Sequence, residues 1–348
     1  MRPDVLLDAD VLGRRRTGDE SYVEALLREL PPLAPDLRFA AVTRHPERVP
    51  AGVEAIRLPA RSQFLRMGIR LPLALRRLRP ALLHTLYVLP PGFGGRTVVT
   101  VHDLSFERYP ELMTPRDRLL FRGFVPRSAR RADRVLTGSE WTRRDLVERY
   151  RLPGENVAVT PYGVDPAFRP DGPRPDRPPY ALFVGAIQPR KDPVAAVEAL
   201  ALLNGDLGLV LVGPEKRGGE EVARTAARIG VKHRVEVVGH VDREELAELY
   251  RGAACLVFPS RYEGFGLPVL EAMASGTPVV ASSAGAVPEV AGDAAILVEP
   301  ADPAALAEGI SRALTDRDRL VAAGLERARR FSWAETARRT LEVYRELL

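Results

Sequence analysis

The sequence contains a single cysteine, Cys255, which excludes an intramolecular disulfide and any metal site built from cysteines. Because Cys255 lies in the apolar run 253–258, we expect it to be a small buried hydrophobic residue. The sequence also lacks a run of about 18 apolar residues, the length that a membrane-spanning helix needs, and a long apolar segment near its start. It therefore predicts neither a spanning helix nor a signal peptide, and the cytoplasm is the expected compartment.

Lysine is scarce too, since only Lys191, Lys216 and Lys232 stand beside 48 arginines. Together with abundant alanine and proline, this looks like a compositional bias and by itself indicates no function. The charge is nevertheless uneven. Residues 1–170 contain 29 arginines against 20 acidic residues, whereas residues 171–348 contain 22 lysines and arginines against 26 acidic residues. This asymmetry predicts that the first half faces an anionic partner.

Two segments concentrate the positive charge. Residues 61–79 contain six arginines and no acid, and residues 114–134 contain seven arginines against two aspartates. Basic amphipathic segments bind anionic membrane surfaces, so peripheral membrane contact is one expectation. The alternative is a helix whose arginine face is solvated while it packs on its own domain. Nucleic acid is not an expected partner, because the segments lack an aromatic stacking ladder.

The 348 residues suffice for about two domains, and the 45% of apolar residues is typical of a globular protein. Short apolar runs alternate with helical patterns such as 219–229, 242–252 and 303–314. Continuous apolar strands alternating with helices predict parallel sheets covered on both faces, and therefore an α/β fold. The predicted strands are 4–10, 38–43, 54–58, 81–86, 96–101, 134–138, 156–160, 180–185, 208–213, 235–239, 254–259, 278–281 and 295–299.

The domain boundary is predicted from proline. Residues 166–179 contain six prolines in fourteen positions, which disfavours both helix and strand and stiffens a connection. We therefore expect an N-terminal αβα domain over 1–165, a linker over 166–179 and a second αβα domain over 180–330. A cleft is expected between the two domains.

Glycine and polar residues follow several predicted strands. Ligands of parallel α/β sheets bind beyond the carboxyl ends of the strands. The segments found there are Gly13–Gly18, His102–Asp103, Gly185–Lys191, Ser260–Pro268 and Ser282–Gly285. If both sheets direct these ends at the cleft, the loops meet there. The alternative is that such residues simply mark loops.

The segment 263–271 is the most informative. Pro268 suits a first helical turn, and Gly264 and Gly266 let the backbone approach a ligand closely. A helix N-terminus of this kind binds anions, and Arg190 and Lys191 at another strand end can neutralise a diphosphate. Carboxylates beside such a site are better suited to sugar hydroxyls than to phosphates. The combination predicts a nucleotide-sugar site.

Two of these carboxylates are Glu263 and Glu271. For Glu271 the alternative role is that of an acidic residue near a helix N-terminus, where the helix dipole favours negative charge. Beside the basic pair 190–191, we favour a role in binding a hydroxyl-bearing ligand.

The segment Glu263-Gly-Phe-Gly-Leu-Pro-Val-Leu-Glu271 resembles the E-x7-E segment of retaining glycosyltransferase family 4. The resemblance extends over nearly the whole chain, and the sequence around His102 is most similar to the lipopolysaccharide mannosyltransferase branch. Its further motifs are 101–104, 137–142, Pro161-Tyr-Gly-Val-Asp-Pro-Ala-Phe168, Gly185-Ala-Ile-Gln-Pro-Arg190-Lys191-Asp and Gly285-Ala-Val-Pro-Glu289-Val. The resemblance implies a GT-B fold, with two Rossmann-like domains facing across a cleft. It also implies that residues 331–348 form a helix that crosses back to the first domain.

The resemblance implies a role for each matching residue. Arg190 and Lys191 would bind the donor diphosphate, together with Gly185 and the backbone around the loop Gly264, Phe265, Gly266 and Leu267. Glu271 would accept hydrogen bonds from the ribose, and Glu263 would bind the transferred sugar. His102 would lie near the reacting sugar; its alternative role is that of a loop histidine. Gly18 would pass close to the phosphates, although the acids 19–20 that follow it depart from the commoner pattern and suit the acceptor better.

The implied function is metal-independent, retaining transfer of a hexosyl group from a nucleotide sugar to a glycan or lipid-linked acceptor in cell-envelope polysaccharide synthesis. No cofactor is expected. Mannose from GDP-mannose is the favoured donor and a UDP-sugar the alternative. A nucleotide-sugar epimerase of the same fold and a silent binding homologue are the other open functions. A nicotinamide-dependent oxidoreductase is disfavoured, because no G-x-G-x-x-G follows a predicted strand.

Overall fold

The computed structural model describes residues 2–13, 17–60, 62–216 and 218–348, without the side chains of Thr17 and Asp117. Residues 14–16 of the predicted Gly13–Gly18 loop and Arg61 of the first basic segment lie outside the described residues. The predicted strands are all present, with ends that shift by one or two residues. They are Val5–Asp8 (β1), Phe39–Thr43 (β2), Glu54–Arg57 (β3), Leu82–Leu86 (β4), Arg96–Thr100 (β5), Arg134–Thr137 (β6), Val157–Val159 (β7), Tyr180–Val184 (β8), Gly208–Val212 (β9), Val235–Gly239 (β10), Cys255–Phe258 (β11), Val279–Ser282 (β12) and Ile296–Val298 (β13).

The helices fill the connections between the strands. They are Thr17–Leu33 (α1), Gln63–Leu65 (α2), Leu71–Leu78 (α3), Ser105–Arg108 (α4), Pro115–Arg131 (α5), Glu140–Tyr150 (α6), Pro193–Ala201 (α7), Gly219–Arg228 (α8), Arg243–Gly252 (α9), Leu267–Ala274 (α10), Val287–Ala291 (α11), Pro303–Thr315 (α12), Arg317–Ala328 (α13) and Trp333–Leu347 (α14). Several begin at a capping residue: Ser139, Asp242, Asp302 and Ser332 each accept a hydrogen bond from the backbone N–H three residues ahead.

The strands form two parallel sheets, one in each of two units of the chain. The first unit combines the chain up to Gly163 with Ser332–Leu348, and the second is Val164–Phe331. The strand order is β3-β2-β1-β4-β5-β6-β7 in the first unit and β10-β9-β8-β11-β12-β13 in the second. Both orders are Rossmann-like, so the predicted α/β class is confirmed.

The cores follow from the continuous apolar strands. Every residue of β8, β11 and β12 is buried, because helices cover both faces of the sheet. Cys255 is among them, as expected, and burial raises the pKa of its thiol to about 12. The Pro-rich segment 166–179 belongs to the second unit, where Arg251 Nε donates to Pro173 O at 2.8 Å. Among the described residues, no helix is long and apolar enough to cross a membrane.

The basic segment 61–79 differs from a helix with a uniformly solvated arginine face. Between α2 and α3 it forms a π-helical turn, Arg66–Arg70, and Arg66 is only 1% exposed. Its guanidinium group binds Asp8 in a bidentate pair, with Nη1–Oδ2 at 2.8 Å and Nη2–Oδ1 at 2.5 Å, and its Nε lies 3.2 Å from Asp10 Oδ1. A buried guanidinium group needs such carboxylate partners, which the ends of β1 supply.

The last helix, α14, belongs to the first unit, as expected from the resemblance. Gly163 leaves room for it, since a Cβ atom there would lie 2.0 Å from Trp333 N. The Tyr344 hydroxyl is hydrogen-bonded to His84 Nδ1 at 2.5 Å, and His84 Nε2 lies 2.7 Å from Thr100 Oγ1. Burial lowers the pKa of His84 to about 3, so the imidazole is neutral. Its two ring nitrogens form hydrogen bonds with Tyr344 and Thr100.

Replacing Tyr344 by Phe should lower the free energy of unfolding by about 1–3 kcal/mol, because one buried nitrogen of His84 loses its partner. Urea denaturation monitored by circular dichroism measures the change. The control is Arg345→Ala on the same helix, whose exposed pair with Asp36 should contribute about 0–1 kcal/mol. Equal effects of the two substitutions would show that the buried contact does not hold α14 in place.

Candidate donor site

Neighbouring strands of the second sheet bring two loops together. The loop after β8 contains residues 185–192 and the loop after β11 contains residues 259–266, and these strands are adjacent. Arg261 N donates to Arg190 O at 2.9 Å, and Arg190 Nη1 donates to Tyr262 O at 2.5 Å. Arg261 Nε also donates to Asp192 Oδ2 at 2.8 Å. The two loops are therefore fixed to each other by backbone and side-chain bonds.

A buried charge cluster lies where these loops meet. Glu263 is 7% exposed, and its Oε1 accepts a hydrogen bond from Lys191 Nζ. Arg190 Nη1 lies 3.6 Å from Glu263 Oε2. Burial alone would favour the neutral acid, but Lys191 and Arg190 outweigh it and hold the pKa of Glu263 below its usual value. The carboxylate and both cations are thus present together before a ligand binds.

Other residues of the predicted motifs shape this cluster. Gly285 has φ +63°, and a Cβ atom there would lie 2.3 Å from Glu263 O. Ala286 N donates to the same carbonyl oxygen at 3.0 Å. Gly185, next to β8, lies against the Lys191 stem, since its Cβ position is 3.6 Å from Lys191 Cδ. The motif at 285–286 therefore holds the backbone of Glu263, and the side chain of Glu263 in turn holds Lys191.

The predicted anion-binding helix terminus is the start of α10. Gly266 is the N-cap with φ +107°, and Leu267 and Pro268 open the helix. A glycine N-cap has no side chain to occupy the first N–H groups, so this end can receive an anion. Phe265 is 5% exposed and packs edge to face on Phe331 with ring centroids 5.9 Å apart. Together with Gly264, these residues form the turn that follows Glu263.

Glu271, the ribose ligand implied by the resemblance, lies one turn into α10. Its Oε2 accepts a hydrogen bond of 2.9 Å from the hydroxyl of the fully buried Tyr250. Burial raises the pKa of Glu271 to about 7, although the Tyr250 bond and the charge of Arg243 act in the opposite direction. Glu271 is therefore poised between its acid and carboxylate forms near neutral pH.

His102 belongs to the first unit, at the carboxyl end of β5. Its Nδ1 is hydrogen-bonded to the Tyr162 hydroxyl at 2.5 Å, and the edge of its ring packs against Tyr22 with centroids 4.9 Å apart. Burial lowers the pKa of His102 despite the nearby charges of Asp19 and Asp103. His102 is therefore a neutral imidazole whose second nitrogen, Nε2, lies 3.7 Å from Asp19 Oδ1.

Gly18 was expected in a loop, but it lies in the first turn of α1, which begins at Thr17. The acids that follow it are placed by the same turn. Asp19 approaches His102, as described, and Glu20 Oε1 accepts a hydrogen bond from Gly13 N at 2.6 Å. The structure thus brings Gly18 to the side of His102 in the first unit and groups the other predicted residues in the second unit.

Three contacts of the site were not predicted from the sequence. They are the Tyr250–Glu271 bond, the Tyr162–His102 bond and the Arg261–Asp192 pair. Tyr162 lies inside a motif on which the resemblance rests, but the motif assigned no role to Tyr162. Tyr250 carries no signal beyond helical spacing. Among the residues that the structure describes, no group of three or more His, Cys, Asp or Glu side chains is placed to hold a metal ion.

The carboxyl ends of the second parallel sheet carry a paired lysine and arginine, a buried carboxylate and a helix N-terminus. Together with a second Rossmann-like unit in the same chain, these are the features of a GT-B glycosyltransferase. The family model described as Glycosyl transferases group 1 matches residues 164–335, and that described as Glycosyltransferase Family 4 matches residues 17–168. The chain belongs to the family 4 glycosyltransferases.

Two relatives and one solved structure give the extent of the similarity. O-antigen chain mannosyltransferase B of Escherichia coli is 32% identical, over 86% of this chain and 81% of its own. D-inositol 3-phosphate glycosyltransferase of Nocardia farcinica is 36% identical over 61% of this chain, which spans about half of that enzyme (52%). The structure of sucrose-phosphate synthase from Thermosynechococcus elongatus superposes with a TM-score of 0.81 and 25% identity, over 99% of both chains.

Replacing Tyr250 by Phe should change the pH dependence of nucleotide binding. If the Glu271 carboxylate accepts from ribose hydroxyls, affinity for UDP or GDP rises as pH increases through about 7, where Glu271 ionises. The Tyr250 hydrogen bond lowers this pKa, so its loss should move the rise about one pH unit higher. Calorimetric titrations between slightly acidic and alkaline pH measure the midpoint.

Tyr180→Phe is the matched control for this test. Tyr180 also loses a buried hydroxyl bond, a 2.7 Å contact to Leu249 O, but it does not contact Glu271. Its pH profile should follow that of the wild type. An unshifted midpoint in Tyr250→Phe would contradict the assignment of Tyr250 as a residue that lowers the pKa of Glu271.

Proposed function

We propose that the chain transfers a hexosyl group, with retention of configuration, from a nucleotide sugar to a glycan or lipid-linked acceptor of a cell-envelope polysaccharide. Mannose from GDP-mannose is the favoured donor. The observation that carries the proposal is the buried cluster of Glu263, Lys191 and Arg190 beside the N-terminus of α10. The mannosyltransferase of Escherichia coli, similar over most of both chains, supports the choice of sugar.

The proposed donor lies with its diphosphate against Arg190, Lys191 and the first turn of α10. Glu263 holds both cations in the unit that contains the N-terminus of α10. In the proposal, the positive charges of Lys191 and Arg190 face the phosphate oxygens while Glu263 keeps the two side chains in place. Glu263 in turn accepts from hydroxyls of the transferred sugar, and Glu271 accepts from the ribose.

His102 supplies the proposed contact of the first unit with the reacting sugar. Tyr162 occupies Nδ1, and Nε2 is buried without a hydrogen-bond partner among the described residues. A buried nitrogen of this kind needs a partner, which a sugar hydroxyl can provide. As a neutral imidazole, His102 serves as a hydrogen-bond partner and does not carry a positive charge.

The proposed reaction forms the bond between the acceptor oxygen and the anomeric carbon on the face from which the diphosphate leaves. The bond from the anomeric carbon to the phosphate oxygen breaks, and the departing oxygen takes the acceptor proton. Arg190, Lys191 and the helix N-terminus stabilise the charge on the leaving diphosphate, so no metal ion is required in the proposal. Fixed donors of this kind typically contribute about 10²–10³ in rate each.

A screen of nucleoside diphosphates tests the donor proposal. We expect GDP to raise the thermal stability selectively over UDP, ADP, CDP and dTDP, with NAD as the negative control. A ligand at about 100 times its dissociation constant adds about 2.7 kcal/mol to the free energy of unfolding. With GDP-mannose, slow release of GDP should persist in the presence of EDTA.

Lys191→Ala is the site variant, and Lys216→Ala is the control, since Lys216 belongs to the same unit but not to the charge cluster. The GDP shift should disappear in Lys191→Ala alone. Stabilisation by NAD and by no diphosphate would contradict the transferase, and loss of GDP release in EDTA would contradict metal independence.

We also propose that the chain, acting in the cytoplasm, contacts an anionic membrane through its two basic segments. The Arg116 guanidinium group lies 4.6 Å from the centre of the Phe64 ring, so the segments 61–79 and 114–134 touch. Large apolar side chains are exposed on both: Phe64, Ile69, Leu73, Leu119 and Phe124, which are 44–76% exposed. Arginines beside exposed apolar groups suit the boundary of an anionic bilayer.

Vesicle flotation tests the membrane contact. The protein should float with vesicles that contain phosphatidylglycerol and not with pure phosphatidylcholine. Replacing Leu119 and Phe124 by Ser should weaken the binding about tenfold, because two apolar side chains lose their burial in lipid. The control replaces Leu202 and Leu314, which are exposed on the second unit, by Ser. Equal flotation with neutral vesicles, or equal losses in both variants, would contradict the proposal.

A further inference from the structure

An open cavity of about 410 Å³ lies in the first unit between α4, α5 and α6. Four arginines line it, and they come from two different helices. Its charged and polar lining consists of Glu107, Arg122, Arg127, Arg130, Arg149 and Tyr150. Its lining contains neither His102 nor any residue of the second unit, so it is separate from the residues proposed to bind the donor.

Each of these arginines is anchored by a bond to a neighbouring group of the first unit. Arg122 Nε lies 3.2 Å from Glu107 Oε2, and Arg149 Nε donates to Asp145 Oδ1 at 2.7 Å. Arg130 Nε donates to Tyr150 O at 3.0 Å, and Arg127 Nη1 donates to Gly123 O at 2.5 Å. A guanidinium group has five N–H donors, so the bonds of Arg122, Arg127 and Arg130 orient these groups and leave further donors for a ligand.

The charges of the lining do not balance. Four guanidinium groups face one carboxylate, that of Glu107, and the nearby Asp145 is shared between Arg149 and Arg108. Tyr150 adds no negative charge, because burial raises the pKa of its hydroxyl further above its usual value. Like charges held around one cavity repel, and an anion inside it would relieve that repulsion.

Helix electrostatics explain only part of this arrangement. Arg130 and Arg149 lie at the C-terminal ends of α5 and α6, where cations stabilise the helix dipole. Arg122 lies about two and a half turns before the end of α5, beyond the range of that effect. Its side chain nevertheless lines the same cavity, which the dipole does not require.

We infer that this cavity is a binding site for a phosphate-bearing anion, either a phosphomonoester or a diphosphate. Guanidinium groups bind phosphate oxygens in bidentate pairs, and several of them around one cavity match the charge of such a group. The anion is either a free phosphate compound or the headgroup of a lipid. Leu119, on the same helix and 76% exposed, places an apolar side chain about one turn from the cavity.

The test uses the full chain with Arg190→Ala, Lys191→Ala and Glu263→Gln, so that the donor residues contribute no phosphate binding and no buried carboxylate is left without its cations. The probes are pyrophosphate, followed by calorimetry, and phosphatidylcholine vesicles with phosphatidic acid, with phosphatidylglycerol at equal charge, or with neither. The site variant adds Arg127→Gln and Arg130→Gln. The control instead adds Arg319→Gln and Arg329→Gln, which are 60% and 77% exposed in the second unit and remove the same charge.

We expect at least one probe to bind, and the site variant to weaken that binding about tenfold or more, since each charge-assisted bond is strong. The control should stay within about twofold. Binding of pyrophosphate identifies a free phosphate as sufficient. Without it, binding of phosphatidic acid vesicles in preference to phosphatidylglycerol vesicles of equal charge identifies a lipid headgroup. Absence of binding to both probes, or equal losses in both variants, would overturn the inference.

A second variant guards against a folding defect, because Arg130 also binds the end of α6. Arg122→Gln with Arg127→Gln leaves that contact intact and should weaken binding by a similar factor. Retained binding in this variant, with an unchanged melting temperature, would also overturn the inference. None of these measurements depends on transferase activity, so their outcome is separate from that of the donor experiments.

Discussion

The candidate donor site depends on one buried interaction, in which Glu263 faces Lys191 and Arg190. Removing a carboxylate from water is unfavourable unless cations accompany it, and Glu263 is only 7% exposed. The cations in turn are held in place by the carboxylate. A site whose charges are already oriented does not spend free energy on reorganisation during the reaction. The pairing therefore explains both the burial of the acid and the readiness of the basic residues.

This pairing constrains the backbone around it. Gly285 must lack a side chain because its Cα lies against the Glu263 backbone. Asp192, which follows Lys191, binds Arg261 and accepts a hydrogen bond from Ala195 N at the start of α7. These two contacts fix its position. Segments far apart in sequence thus become one site, because β8, β11 and β12 are neighbours in a parallel sheet and their loops leave from one edge.

The strands, and the loops that meet after β8 and β11, could be predicted because their signals are local. Apolar runs such as 209–212 predict buried strands. Glycines and charged residues directly after a strand predict the edge of the sheet at which a ligand binds. Arg66 could not be predicted in the same way, because an arginine in a basic segment is ordinarily solvated and its partner, Asp8, is 58 residues away. The bond from Tyr344 to His84 spans 260 residues, and the one from Tyr250 to Glu271 joins two helices. Side-chain pairings of this kind follow from the packed fold and leave no periodic pattern.

The segment 161–168 is a motif whose residues contact other residues of the candidate site. Tyr162 belongs to the first unit and holds His102, while Asp165 belongs to the second and pairs with Arg243 at 2.9 Å. Phe168 then packs edge to face on Tyr250, with centroids 5.6 Å apart, and Tyr250 holds Glu271. Only three positions separate Tyr162 from Asp165, and the chain passes from one unit to the other between them.

Three residues of this segment each contact a different neighbour. Gly163 admits α14, the Tyr162 hydroxyl reaches an imidazole, and the Asp165 carboxylate meets a guanidinium group. A substitution that relaxed any of these contacts would disturb a residue supporting His102 or Glu271. The same short segment therefore contributes to the packing of both units.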